Sequence, residues 1–112
     1  MIELSLPTPP SVNNLFFNRL KGRGITPEYR AWRVQAGWEL KQQRPKPVKG
    51  QVCLSYTFEP GRADLDNLAK PLNDLLVEHR LIEGDGPDHV RQIILEYWDG
   101  VKGVKVKVLP FV

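Results

Sequence analysis

Residues 52–79 read VCLSYTFEPGRADLDNLAKPLNDLLVEH, and two periodic patterns within them indicate the fold class. Apolar and polar residues alternate over 52–58, which predicts a β-strand, and the Pro-Gly pair after it ends the strand. Leucines recur at helical spacing over 68–79, so we predict an amphipathic α-helix there. Because Pro71 lacks an amide hydrogen, the helix should begin near residue 68, with 64–67 as its lead-in.

Four further elements flank this stretch. Strand or helix periodicity predicts elements at 2–6, 27–43, 89–98 and 103–109. Residues 9–26, rich in Pro, Asn, Gly and Arg, are interpreted as a long surface loop. An Asp-Gly pair after the third strand predicts a hairpin to the fourth. The order strand, helix, strand, helix, strand, strand predicts an α+β fold of two layers, with two main helices on a mixed four-stranded sheet.

The first helix has a recognisable start. Thr26 is a suitable N-cap, and Pro27 suits the first helical position. Gly37 weakens the prediction, since glycine costs about 1 kcal/mol relative to alanine inside a helix. The residues that we expect on the buried face are Tyr29, Trp32, Ala36, Trp38 and Leu40.

Length and composition are those of one soluble globular domain covering residues 1–112. No apolar run reaches the roughly 20 residues that span a bilayer, and the first residues are too short and too alternating for a signal peptide. Cys53 is the single cysteine, which excludes an internal disulfide and fits a reducing cytoplasm. We therefore expect a cytoplasmic protein without a membrane partner.

Charge is unevenly distributed along the chain. Residues 1–50 hold nine Lys/Arg against three Glu, a net of +6, whereas residues 51–112 hold seven against ten Asp/Glu, a net of −3. A basic half beside an acidic cluster is typical of a phosphate-binding surface around a metal site. Proteins that never bind nucleic acid can show the same asymmetry, so charge alone does not decide the function.

The acidic run after the predicted strand is the strongest chemical signal. If residues 64–66 are extended, the carboxylates of Asp64 and Asp66 point the same way and can share one cation. Lys70 follows one helical turn later and could steady charge on a phosphate. The alternative is that Asp66 or Asn67 only caps the helix while Asp64 is solvated. With the other acids and the basic half, we favour a metal-dependent phosphodiesterase that acts on nucleic acid.

Further acids lie within reach of Lys70. Asp74 is a ligand, the ion-pair partner of Lys70 one turn along the helix, or a surface residue. The loop 83–88 adds three carboxylates, although turn chemistry alone explains Asp and Gly there. Asp85, between two glycines, is the best placed to reach the site, with Asp88 and Glu83 as substitutes.

Three segments resemble the RusA family of Holliday-junction resolvases, small endodeoxyribonucleases typical of phages and prophages. They are PPSVNN at 9–14, ITPEYRAWR at 25–33, and DLDNLAK at 64–70 followed by Asp74 and Asp85. The resemblance implies a homodimer that binds four-way junction DNA and nicks two strands symmetrically in recombination and repair. It also implies dependence on Mg²⁺, for which Mn²⁺ could substitute, and a bacterial or phage-infected cell as the setting.

By position, the resemblance implies Asp64, Asp66 and Asp85 as metal ligands and Lys70 as the essential lysine. The family often has adjacent acids at the third carboxylate, whereas this chain reads GDGPD over 84–88, so Asp88 stays an alternative. The two other functions to be weighed are a related nuclease acting on flaps, forks or RNA, and a non-catalytic DNA-binding module whose acids are caps and turns.

Several cations are candidates for contacts with the DNA backbone, which supply affinity rather than sequence choice. Phe16 and Phe17 could stack on unpaired bases at the crossover, or could form a hydrophobic plug under the loop. The candidate cations are Arg19, Lys21, Arg23, Arg30, Arg33 and Arg62.

Overall fold

The computed structural model describes residues 1–19 and 22–112 and confirms the predicted α+β fold of two main helices and a mixed four-stranded sheet. A small second sheet accompanies it. The elements are β1 (Ile2–Leu6), a 3₁₀ helix (Val12–Asn14), β2 (Phe16–Arg19), β3 (Gly22–Ile25), α1 (Pro27–Gln42), β4 (Val52–Phe58), α2 (Asp66–Glu78), β5 (Val90–Tyr97) and β6 (Val104–Pro110).

The large sheet has the strand order β1-β6-β4-β5. β4 and β5 are parallel and are joined through α2, whereas β6 is antiparallel to both β1 and β4. The predicted hairpin between the last two strands is therefore wrong, because β4 separates them. β4 is buried at five of its seven positions. A central position in the sheet shields these side chains from solvent better than an edge position would.

The loop that joins β5 to β6 passes across the C-terminal end of β4. The backbone N–H of Glu59 donates to the carbonyl of Gly103 at 2.8 Å, and the N–H of Gly103 donates to the Glu59 carboxylate at 3.1 Å. Gly103 has a φ of +64°, a conformation that favours glycine. These contacts fix the point at which β6 begins.

Both helices bury an apolar face in a core shared with the inner strands. α2 contributes leucines at helical spacing, and α1 contributes four of the five residues predicted for its stripe. The prediction for Trp38 is wrong, since its side chain is 62% exposed. Trp38 lies two residues after the buried Ala36, about 200° around the helix, and therefore faces away from the core. Gly37, which was not predicted for the buried face, is buried where α1 packs against His79 at the end of α2.

α2 begins two residues earlier than predicted. Leu65 already has helical φ and ψ, the Asn67 N–H donates to the Asp64 carbonyl, and Pro71 lies inside the helix. The proline removes one backbone hydrogen bond of the helix. Its ring is fully buried in the core, and this burial offsets part of that loss. Because Leu65 is helical, residues 64–66 are not extended, and strand geometry does not align Asp64 with Asp66.

The predicted loop 9–26 contains structure that the sequence patterns did not reveal. A short 3₁₀ helix is followed by two antiparallel strands, β2 and β3, which pair Phe16 with Ile25. Leu15 is buried beneath them, and the Thr26 N–H donates to its carbonyl at 3.0 Å. Thr26 also accepts a hydrogen bond from the Tyr29 N–H, which confirms it as the N-cap of α1. Neither α1 nor α2 is long and apolar enough to cross a membrane.

Candidate active site

Lys70 lies between two carboxylates on the surface of α2. Its Nζ donates a hydrogen bond to Asp74 Oδ1 at 3.0 Å and lies 3.7 Å from Asp85 Oδ2. Asp74 is one helical turn beyond Lys70, which makes it the lysine partner among the three roles considered for it. Asp85 comes from the loop before β5, so the cluster joins two separate segments of the chain.

The C-terminus of α2 turns the chain back toward this cluster. Arg80 has a φ of 57°, and the N–H of Leu81 donates to the carbonyl of Leu76 at 2.9 Å. This is the Schellman arrangement, with arginine in the left-handed position that glycine usually occupies. Leu81 and Ile82 are then buried, which anchors the start of the loop that carries Asp85.

The other two acids of the loop have different contacts. The Glu83 carboxylate accepts a hydrogen bond from the Gly50 N–H at 3.0 Å and lies 3.8 Å from His89 Nδ1. The carbonyl of Asp88 accepts from the Gln51 side chain at 3.4 Å. Of the three acids, Asp85 is therefore the one that the structure brings to Lys70.

The carboxylates keep Lys70 protonated. Its hydrogen bond to Asp74 raises the pKa of Lys70, and this effect, with the negative charges of Asp74 and Asp85, outweighs the opposing cost of desolvation. The side chain is more than half exposed, so a phosphate could reach it. An ammonium that stays charged can stabilise developing negative charge, but it has no lone pair with which to act as a base.

Two tyrosine hydroxyls approach the cluster. Burial, together with the nearby charges of Asp85 and Asp74, raises the pKa of Tyr56, whose hydroxyl donates to Asn73 Oδ1 at 2.7 Å. Burial and the charge of Asp74 also raise the pKa of Tyr29. Both phenols therefore stay neutral beside the carboxylates. The alternation of β4 predicts that Tyr56 is buried, but it does not indicate that its hydroxyl lies near Asp85.

A cleft of about 390 Å³ opens at the cluster between α1, α2 and the small β2–β3 sheet. The wall opposite the acids carries Arg33, which pairs with Glu78 at 3.1 Å and lies over the Tyr29 ring at 5.6 Å. The residues that line the cleft are Phe16, Ile25, Tyr29, Arg33, Asp74, Val77, Glu78 and Asp85. Acidic, basic and aromatic groups thus meet at one opening.

Asp64 and Asp66 lie at the start of α2, with exposed side chains. Asp66 is one turn before Lys70, on the same helical face as Asp74. Neither Asp66 nor Asn67 caps the helix, because the N-cap position is Leu65 and no side chain makes a capping hydrogen bond there. The segment before them is held by the Tyr97 hydroxyl, which donates to the Ala63 carbonyl.

A hard divalent cation prefers oxygen ligands, which the acids of this region can supply. Within residues 1–19 and 22–112, no three Asp, Glu, His or Cys side chains lie close enough to hold a metal ion together. Mg²⁺ often takes only one or two protein carboxylates and completes its shell with substrate phosphate and water. The exposed carboxylates of Asp66 and Asp85 have the donor chemistry for that smaller requirement. The joint ligand set of Asp64, Asp66 and Asp85 stays a prediction.

Among the predicted DNA-contact cations that the structure describes, Arg33 lines the cleft. Arg23 lies over the Phe16 ring at 4.8 Å, and Arg30 and Arg62 are exposed. The Arg19 side chain and Lys21 lie outside the described residues. Phe16 and Phe17 are 40% and 45% exposed. The prediction that they form a hydrophobic plug under the loop is therefore wrong for both side chains.

Two comparisons with known proteins bear on this site. The sequence model of the family described as endodeoxyribonuclease RusA matches residues 7–109, which include all of the acids and the lysine discussed above. No curated protein sequence matches the chain significantly.

Proposed function

Because the chain belongs to the RusA family of endodeoxyribonucleases, we propose that it resolves Holliday junctions by paired, symmetric nicks in a Mg²⁺-dependent reaction. The observation that carries this proposal is the protonated Lys70 held between two carboxylates at the mouth of an open cleft. Metal-dependent phosphodiester cleavage uses oxygen donors that hold the divalent cation, and a fixed positive charge beside the reacting phosphate stabilises the negative charge that develops.

Lys70 has the role of an electrostatic stabiliser. Its ammonium remains charged at neutral pH, so it can neutralise the phosphate oxygens or the departing oxygen as negative charge develops. Asp74 acts through Lys70, since its hydrogen bond fixes where the ammonium lies. An ammonium held in place before the substrate arrives requires less reorganisation during the reaction.

Asp64, Asp66 and Asp85 are the carboxylates that we assign to the metal, on the strength of the family resemblance. When bound, a divalent ion supplies Lewis acidity and neutralises phosphate charge. Mn²⁺ accepts the same oxygen ligands and should substitute for Mg²⁺. The exposed side chains at the start of α2 are accessible to an ion brought in with the DNA.

A symmetric junction requires two matching cuts. A homodimer with twofold symmetry presents two copies of one site to the two equivalent strands, so we propose a homodimer as the active form. Its setting would be recombination and repair in the cytoplasm of a bacterial or phage-infected cell.

The proposal is tested by incubating the protein with an immobile four-way junction, a 5′-flap and a linear duplex, each with Mg²⁺, with Mn²⁺ and with EDTA. We expect paired nicks in the junction that require the metal. Asp66→Asn should abolish cutting while junction binding survives. Faster cleavage of the flap would point to a related nuclease of different substrate choice, and the absence of cleavage on all three would favour a DNA-binding module. An Asp66→Asn variant that cuts like the wild type would remove the assigned metal site.

A further inference from the structure

The outer face of α1 presents an exposed tryptophan among cations. Trp38 is 62% exposed and Val34 is 71% exposed, and both lie on one surface stripe with Arg30 at intervals of four residues. Lys41 lies one turn beyond Trp38 on the neighbouring stripe. An exposed aromatic side chain with cations on both sides of it is typical of surfaces that bind single-stranded nucleic acid.

These residues border a hollow of about 410 Å³ between α1 and the end of α2. Gly37 lies at the closest approach of the two helices, and a Cβ atom at that position would be 3.0 Å from His79 Nε2. The absence of a side chain at position 37 lets His79 approach α1 while the hollow beside the indole of Trp38 stays open. A flat ring could enter there.

The charge of the hollow favours an anionic occupant. Arg30, Arg33 and Lys41 line it, and the one acid among its lining residues, Glu78, is already paired with Arg33 at 3.1 Å. Among the described residues, Arg30 and Lys41 form no ion pair. Two cations without an ion-pair partner in the described part of the chain therefore flank an exposed indole. A nucleotide offers both complementary groups, a phosphate and a base.

The hollow adjoins the active-site cleft. Ile25, Arg33 and Glu78 line both, so one strand of nucleic acid could extend from one to the other without leaving the surface. Arg30 and Lys41 are eleven residues apart on α1, or roughly 16 Å at the helical rise of about 1.5 Å per residue. That length accommodates a few nucleotides of an extended strand.

We propose that the hollow beside Trp38 binds an unpaired nucleotide of the DNA strand held in the active-site cleft. The indole of Trp38 stacks on the base, and Arg30 and Lys41 bind phosphates of the same strand on either side of it. This inference depends on the proposed function, because it takes DNA as the ligand of the cleft. It adds a recognition site for unpaired bases that is separate from the acids and Lys70.

The test compares Trp38→Ala with a matched control. Trp98 is also 62% exposed but borders a different hollow with Pro60 and Asp99, so Trp98→Ala removes an equally exposed indole elsewhere. The probes are oligo(dT) of eight nucleotides and a four-way junction with unpaired thymidines at the branch, both in EDTA. We expect Trp38→Ala to bind each probe about tenfold more weakly, Trp38→Phe to retain most of the affinity, and Trp98→Ala to bind as the wild type. Lys41→Ala should reduce the salt dependence of binding.

Either of two results would overturn this inference while leaving the proposed function in place. One is an affinity of Trp38→Ala for both probes equal to that of the wild type, when the wild type binds and cuts junctions. The proposed function would then stand without the stacking site. The other is a change in oligomeric state on Trp38→Ala, measured by size exclusion with light scattering, which would make this face an interface between copies of the chain. If the wild type neither binds nor cuts any DNA, the proposed function fails first, and the inference fails with it.

Discussion

The ammonium of Lys70 lies 3.7 Å from the carboxylate of Asp85, although fifteen positions separate the two residues along the chain. α2 carries the lysine, and the loop that follows the Schellman turn at Arg80 carries the acid. Because α2 connects the parallel strands β4 and β5, both residues are positioned by the same crossover unit. The contact distinguishes Asp85 from the other acids of its loop.

Asp85→Asn should therefore slow cleavage far more than Asp88→Asn. The amide keeps the shape of the side chain but removes the negative charge beside Lys70 and the assigned metal. We expect single-turnover cleavage of a four-way junction to fall by about 100-fold or more, in line with the loss of one charged group from a preorganised site. Asp88→Asn, which changes an acid that lacks this contact, should stay within about twofold of the wild type. The reverse ranking would move the third carboxylate to Asp88.

Asp74→Asn should lower the pKa of Lys70 toward its ordinary value, since the hydrogen bond to Asp74 is the largest of the effects that raise it. A raised folded-state pKa means that the stability from this pair is present below pH 10.5 and is lost as the pH rises through the folded value. The pair is exposed, so the free energy of unfolding at pH 7 should change by no more than about 0.5 kcal/mol. NMR titration of ¹³C-dimethylated lysine would measure the pKa. An unchanged Lys70 pKa would contradict the proposed positioning by Asp74.

Tyr56→Phe should destabilise the fold by about 1 kcal/mol at pH 7, because it removes a hydroxyl that donates to Asn73 at 2.7 Å. Burial holds the folded-state pKa of Tyr56 above its ordinary value of 10.0. As the pH rises past 10, the unfolded chain therefore loses this proton first, and the stability that Tyr56 contributes declines. Urea unfolding at pH 7 and at pH 11 should show the gap between wild type and variant shrinking. A gap that is constant across this range would exclude the raised pKa.

Gly103→Ala should destabilise the protein much more than Gly100→Ala. Both glycines have positive φ, +64° and +88°, so each substitution incurs the strain of a left-handed alanine, about 1–2 kcal/mol. Only at Gly103 would the new Cβ overlap the Leu6 carbonyl oxygen, whereas Gly100 faces open space. Overpacking of this kind adds about 1–3 kcal/mol. Thermal unfolding of the two variants side by side would test the difference, and equal losses would show that the close approach at Leu6 relaxes freely.

The sequence alone determined the elements whose signals are local. The alternation over 52–58 and the leucine spacing after it indicated β4 and α2, and the cap at Thr26 located the start of α1 correctly. These patterns record which side chains face the core, and a single strand or helix carries that information within a few neighbouring residues. The run of acids and lysine at 64–70 also indicated the family, and the family match over residues 7–109 confirms it.

Strand order, the facing of Trp38 and the choice of acid beside Lys70 were visible only in the tertiary structure, because distant segments compete for the same buried positions. Asp-Gly at 99–100 indicated a hairpin, but β6 pairs with β1 and β4 because the more apolar β4 takes the central position. Trp38 is as apolar as its predicted neighbours in the stripe, yet it lies about 200° around α1 from Ala36 and faces outward, while Gly37 lies at the contact with the end of α2. Which acid reaches Lys70 likewise follows from how the chain turns after α2. Such outcomes depend on which surfaces are buried together, and burial is a property of the whole packed chain.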